Sequence, residues 1–224
     1  MIQHLKKYLP QSFRSRYRSK WQKIQKKLLK YQFARFIVRP PLPKLENGEK
    51  YLHLGCGDIN HPKFINIDAR PARHVHYVRQ IDDLSLFRTN TIDLIYASHC
   101  LEHFSYQKIS DVLNEWFRVL KPGGTLRLSV PDFDVLLNCY NDNNNDVNSI
   151  MGYLMGEQDY SYNFHKTIFT KKSLGALLKS TGFAEVTEWH PGSNELTSFR
   201  DWSGRKIKIN GKEYSISLNL EAVK

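Results

Sequence analysis

Between residues 51 and 68 the chain reads Tyr51-Leu52-His53-Leu54-Gly55-Cys56-Gly57-Asp58 and then, after a short polar stretch, Ile65-Asn66-Ile67-Asp68. The first apolar run alternates and ends in Gly-x-Gly, the pattern of a buried strand that turns sharply at its carboxyl end. Without Cβ atoms at 55 and 57, the backbone can come close to a flat or charged ligand. The second run ends in Asp68, whose carboxylate could accept both hydroxyl protons of a ribose. Gly-x-Gly alone is a weak signal, because any tight turn after a strand can use it. Its weight depends on the segments beyond Asp68.

From residue 50 onward, strand-like and helix-like segments alternate, which indicates a parallel sheet with helical crossovers. Strands are expected near 50–54, 64–68, 75–79, 92–97, 124–130, 184–190 and 214–222. Helices are expected near 105–120, 132–141, 148–156 and 171–181, the last ending at Gly182. Only residues 55–63 join the first two strands, whereas a parallel crossover usually takes about a dozen residues or more. The first helix must therefore shrink to about one turn, and ligand binding at a long helix dipole is not expected there. Asn138 to Ser149 is rich in Asn and Asp and reads as a polar, mobile loop with no assigned chemistry.

Charge is distributed unevenly. The chain of 224 residues carries a net charge of +11, but twelve of its 33 Lys and Arg and none of its 22 Asp and Glu fall in residues 1–40. The remainder holds 21 basic against 22 acidic residues, so basicity belongs to an amino-terminal arm and a whole-protein nucleic-acid binder is disfavoured. Three cysteines without paired spacing suit a reducing compartment. No apolar run approaches the length of a membrane span. The amino terminus lacks the apolar core of a secretory signal, although its Arg-rich, acid-free character overlaps with organelle transit peptides. The expected location is cytoplasmic, with peripheral contact at the inner membrane surface.

That contact is read from residues 11–38. Phe13, Tyr17, Trp21, Ile24, Leu28 and Tyr31 recur every three or four residues and define one face of a helix whose remainder is largely Lys and Arg. Such a helix could lie on an anionic membrane, pack on the body of the protein, or serve as an RNA-binding arm. Pro40-Pro41-Leu42-Pro43 then stops the helix and forms a stiff linker.

After Asp68 come Ile92-Asp93-Leu94-Ile95-Tyr96-Ala97, Leu101-Glu102-His103, Leu120-Lys121-Pro122-Gly123-Gly124 and the strand to Val130. This succession resembles the class I methyltransferases that use S-adenosylmethionine, of the type 11 kind. The resemblance covers about residues 50–224 and implies an α/β, Rossmann-like fold. Its seven-stranded, mostly parallel sheet has helices on both faces and an antiparallel last strand. The domain would span 44–224, preceded by the arm and linker at 1–43. By the same resemblance, His53, Gly55, Cys56, Gly57 and Ser98 would border the cofactor, Asp68 would hold its ribose, and Asp82 or Asp83 its adenine. Either of that pair could instead cap the next turn. Cys56 reads as a packing residue rather than a nucleophile, because no base adjoins it.

His99, Glu102 and His103 have a spacing that one helical face can offer to zinc. The resemblance favours a metal-free role, in which Glu102 and His103 secure the loop and His99 faces the cofactor sulfonium. Asp132 lies just after the fifth strand, either capping the next helix or touching substrate. The polar and aromatic segment Met155 to Thr170 falls where the family places acceptor recognition. Within it His165 could act as a general base, and Tyr162 could face the acceptor.

Gly156-Glu157-Gln158-Asp159, Asn163-Phe164-His165-Lys166 and the ending Ser217 to Lys224 resemble a bacterial subgroup linked with surface-polysaccharide synthesis. The expected acceptor is therefore a sugar, glycolipid or other small molecule, methylated on oxygen. The alternatives are an RNA methyltransferase that uses the basic arm and a non-catalytic, cofactor-binding partner protein.

Overall fold

The structure is a computed structural model that describes residues 39–224. The amphipathic segment 11–38 lies outside the described residues. Strands β1 (Tyr51–Leu54), β2 (Phe64–Asp68), β3 (Tyr77–Val78), β4 (Ile92–Ser98) and β5 (Leu120–Pro131) run parallel. Strand β6 (Glu185–Glu188) stands at the far edge, and β9 (Ser217–Val223) enters antiparallel between β5 and β6. The seven-stranded order is β3-β2-β1-β4-β5-β9-β6.

Alternation along the strands divides two apolar layers. Leu52, Leu54, Ile65, Ile67, Ile95 and Ala97 enter the main core. Above them lie helices α1 (Ile109–Val119) and α4 (Lys171–Thr181), through Val112, Leu113, Trp116, Leu174 and Leu178. Ile109, Val112, Leu113, Trp116 and Val119 recur at helical spacing, so burying that stripe is what stabilises α1 against the sheet. On the other face Phe64, Leu94, Tyr96 and Trp189 cluster with Leu196 and Phe199 from the segment after β6. Both layers use β4. Its pairing with β5 slips between Ile92 and Leu94, so Ile92 and Ile95 can both face the main core. The Lys121–Gly124 turn, expected to precede the strand, lies inside β5 and forms the bulge at this slip.

The β1–β2 connection contains no helix at all, shorter even than the single turn expected. The strand expected over 214–222 is not continuous. It is broken at Ile216, giving β9 and the second arm of a hairpin, β7 (Lys206–Ile209) and β8 (Lys212–Ser215). Asn210 (φ 48°) and Gly211 (φ 86°) form its two-residue turn. The hairpin packs on α2 (Phe133–Asp142) through Tyr214 against Leu136 and Cys139. Asp142 accepts from Lys212 Nζ at 2.8 Å and from the Tyr214 hydroxyl. Asn138 to Asp142 is thus helical rather than part of a polar loop. A short helix α3 (Met151–Met155) comes next. Among the described residues no helix is long and apolar enough to cross a membrane.

Candidate active site

Strands β1, β2 and β4 end on one side of the sheet, and the site is built on their carboxyl ends. Gly55 and Gly57 both have positive φ, +64° and +55°. A Cβ on Gly55 would stand 2.9 Å from Cys100 Cβ, so the turn after β1 can pass the end of β4 only without a side chain. The Gly57 amide donates to Asp68 Oδ2 at 2.8 Å, and the Arg70 amide donates to Asp68 Oδ1 at 2.7 Å. Each carboxylate oxygen keeps a lone pair for a further donor. Cys56 is buried, and burial pushes its thiol well up, which leaves it protonated and unreactive.

The structure separates the two acids that the sequence left paired. Asp82 lines the cavity beside Asp68, Ile81 and Gln80. Asp83 points away, ion-paired with Arg79 and accepting the Ser85 amide at 3.1 Å, so it caps a turn. Tyr162, expected on the acceptor side, is instead on this side, its hydroxyl accepting from Gln80 Nε2 at 3.1 Å. Asp132 takes the capping role, accepting from the Asp134 and Val135 amides.

At the end of β4, Ser98 Oγ is buried without a hydrogen-bond partner. His99 has a left-handed backbone (φ 49°) that swings its ring across the sheet end. Ser217 Oγ donates to the Trp202 carbonyl at 2.7 Å, so it accepts from His99 Nε2 at 2.8 Å. His99 Nδ1 stands 3.3 Å from Glu102 Oε1. The expectation that Glu102 secures its loop holds for its backbone, whose carbonyl accepts from the Lys166 and Thr167 amides. Its carboxylate is buried to 1 % exposure. Burial would raise that carboxyl, but the contact with His99 and the fields of His99, His103 and His165 outweigh burial and hold it low.

Those amide bonds bring the segment after α3 over the site. Gly156 (φ +76°) starts the return, and a Cβ there would lie 2.6 Å from the Asn163 carbonyl oxygen. The chain can then fold back so that the His165 amide reaches the Met155 carbonyl at 3.0 Å. His165 Nδ1 donates to the Tyr153 carbonyl at 2.9 Å, leaving Nε2 with its lone pair. Burial holds this imidazole below the usual histidine range, with Glu102 offsetting part of the effect.

Two cavities meet here. One, of about 520 Å³, is lined by Asp68, Asp82, Cys100, Lys108 and Tyr162. The other, of about 510 Å³, is lined by His53, Ser98, Tyr153, His165, Arg200, Asp201, Trp202 and Arg205. Gly55, Gly57, Arg70, His99, His103 and Tyr160 belong to both. Sequence reasoning missed Arg70, which lies over the Tyr160 ring at 4.9 Å, and Arg205, which lies over Trp202 at 4.4 Å. It also missed Asp201, whose Oδ2 accepts the Tyr96 hydroxyl at 2.6 Å. None of these sits in a local motif; only the density of Arg, Asp and Trp across 200–205 marked the segment.

Residues 52–128 match the family described as Methyltransferase domain. No curated protein sequence matches the chain. Among solved structures, the fold is similar to a SAM-dependent methyltransferase from Archaeoglobus fulgidus (18% identity, 88% of this chain and 94% of that one, TM-score 0.50). It is similar too to a Thermotoga maritima protein described as a SAM-dependent methyltransferase, possible histamine N-methyltransferase (16% identity, 88% of each chain, TM-score 0.50). A Bordetella parapertussis protein described only as a possible exported protein shares the fold as well (12% identity, 87% of this chain and 65% of that one, TM-score 0.51). The domain thus has the class I methyltransferase fold. Its site fits the cofactor of that fold, S-adenosylmethionine. Asp68 has lone pairs for a diol, the Gly55 turn admits close approach, and Ser98 and His53 present unpartnered polar atoms.

Proposed function

We propose that this protein transfers the methyl group of S-adenosylmethionine to a hydroxyl oxygen of a sugar, glycolipid or similar small acceptor. The observation that carries this reading is the meeting of two cavities at Gly55, Gly57, His99 and His103. Asp68 and Asp82 would hold the adenosine half of the cofactor, and Gly55, Gly57 and Ser98 its amino-acid end. The second cavity, beyond the part bordered by Ser98 and His53, would hold the acceptor. Its Trp202 plate and surrounding Asp, Asn and Arg side chains suit a hydroxyl-rich ring, with apolar ring faces and polar edges.

Methyl transfer is an in-line displacement, and the chief task of the protein is to hold both reactants in line. That effect is worth up to about 7–11 kcal/mol in favourable cases. His165 Nε2, neutral and with a free lone pair, is the candidate base for the hydroxyl proton, a role worth about 10²–10⁴-fold. The arm at 1–40 would hold the enzyme on the anionic inner face of a bacterial membrane, where glycolipid intermediates are built.

Two measurements test this reading. Calorimetric titration with S-adenosylmethionine and S-adenosylhomocysteine should show micromolar binding; none by folded protein refutes the proposal. Co-sedimentation of the full chain with vesicles should require anionic lipid and weaken with salt. Equal association with neutral vesicles, or none with either, would refute the role of the arm. Salt-sensitive RNA binding in its place would favour an RNA acceptor.

A further inference from the structure

The wall between the two cavities holds a group that simple cofactor binding leaves unexplained. No donor makes a well-aligned hydrogen bond to either carboxylate oxygen of buried Glu102. Buried carboxylates of this kind persist when they are paired or bind a metal. A Glu102 oxygen and one nitrogen each of His103 and His165 lie within 4.8 Å of one another, with His165 Nε2 3.9 Å from Glu102 Oε1.

Both rings are braced from behind. His165 Nδ1 lies 2.9 Å from the Tyr153 carbonyl oxygen, and His103 Nδ1 lies 3.2 Å from that of Phe164. A carbonyl only accepts, so each Nδ1 carries the hydrogen and each Nε2 keeps its lone pair. That is the support a metal-binding histidine receives, since it sets both tautomer and ring angle.

We propose that Glu102, His103 and His165 bind a divalent transition-metal cation, with its remaining positions open toward the acceptor cavity. Two imidazoles and one carboxylate suit zinc, manganese or cobalt rather than calcium. Metal–ligand bonds of about 2.0–2.2 Å bring donor atoms to roughly 3 Å apart. The present spacing must therefore contract by about an ångström or more, through small rotations of the Glu102 carboxylate and the two imidazoles toward one another. The ligand set differs from the one that the His99-x-x-Glu102-His103 spacing suggests. His99 is already bound to Ser217, and the third ligand comes from the loop that returns at Gly156.

The role of the cation rests on the methyl-transfer reading. Bound to the cation, an acceptor hydroxyl becomes more acidic and releases its proton to cavity water. The O–CH₃ bond then forms as the S–CH₃ bond breaks, and the sulfonium leaves as the neutral thioether. With the cation bound, the His165 Nε2 lone pair is a metal ligand and cavity water replaces it as proton acceptor; only in the metal-free protein is it available as the base.

The test is titration of tag-free, chelator-treated full chain with Co²⁺, read by visible absorption and calorimetry. One equivalent should bind wild-type protein. Affinity should fall by at least about 10–100-fold in Glu102→Gln and in His103→Gln, while His190→Gln, at an exposed site, binds normally. Absence of stoichiometric binding by folded wild type would overturn the proposal, as would binding that survives both ligand substitutions. His103→Gln guards against misfolding of the more buried variant. S-adenosylhomocysteine titration on the same samples separates the two readings: metal binding without cofactor binding refutes methyl transfer alone, and the reverse refutes the metal site alone.

Discussion

The backbone amide of Gly57 donates to the carboxylate of Asp68 at 2.8 Å, tying the turn after β1 to the end of β2. With the Arg70 amide on the other oxygen, Asp68 fixes the shape of this end of the cavity. Asp68→Ala should weaken S-adenosylhomocysteine by about 100-fold or more, since bonds to a charged group contribute about 1.5–3 kcal/mol each. Asp68→Asn keeps an acceptor oxygen and should lose less. Calorimetry decides; equal affinity in all three proteins would remove Asp68 from the binding site.

Gly55 and Gly48 allow conformational and steric costs to be separated. Both have positive φ, but an added Cβ meets Cys100 at 2.9 Å from Gly55 and nothing within 4 Å from Gly48. Gly48→Ala should lose only the backbone term, about 1 kcal/mol. Gly55→Ala should lose a further 1–3 kcal/mol, roughly, through overpacking. Urea unfolding of the two variants measures the gap, and equal losses would show that β1 and β4 have room to separate.

His53 supplies a pH dependence of known sign. Burial pushes it down to about 4 from 6.5, with Asp201 offsetting part of that. Between those values the unfolded chain binds a proton that the native protein does not, so stability falls as pH drops through the window and loses no more below it. The full effect is about 3 kcal/mol. His53→Phe, placed among Phe64, Tyr96 and Phe199, should gain on wild type by that amount between pH 7 and pH 4. Parallel stability curves would contradict a buried neutral imidazole.

Gly156 controls the far side of the site. Because a Cβ there would collide with the Asn163 carbonyl oxygen at 2.6 Å, Gly156→Ala should displace the loop that carries His165. We expect Co²⁺ affinity to fall by at least about tenfold. S-adenosylhomocysteine affinity should stay within about twofold, as for independent sites. Loss of both together would mean that the loop also supports the cofactor side.

Much of the fold was legible because its determinants are local. Alternation in β1, β2 and β4, the apolar stripe of α1 and the left-handed end of α4 at Gly182 are properties of neighbouring residues. The hairpin was missed, although Asn210-Gly211 marks its turn and Lys206 to Ile209 alternates polar with apolar residues. Only its second arm, Lys212 to Ser215, with Tyr214 as its one apolar side chain, merged with the next strand, β9. Gly55, Gly57 and Asp68 could be placed at strand ends from their spacing, and the structure shows what each touches there.

The remainder was decided by contacts between distant segments. Asp82 and Asp83 are adjacent and chemically alike, and only the path of the loop sends one to the cavity and the other to Arg79. Glu102 meets His165 because the Lys166 and Thr167 amides bond its backbone carbonyl and Gly156 lets the chain turn back. Spacing alone offered His99 as the partner of Glu102 and His103. Strand periodicity is a short-range property, so the sequence by itself determined the order of the main-sheet strands and the strand ends that carry Gly55, Gly57 and Asp68. Which side chains share the wall between the two cavities depends on how a returning loop packs, and that only the tertiary structure decided.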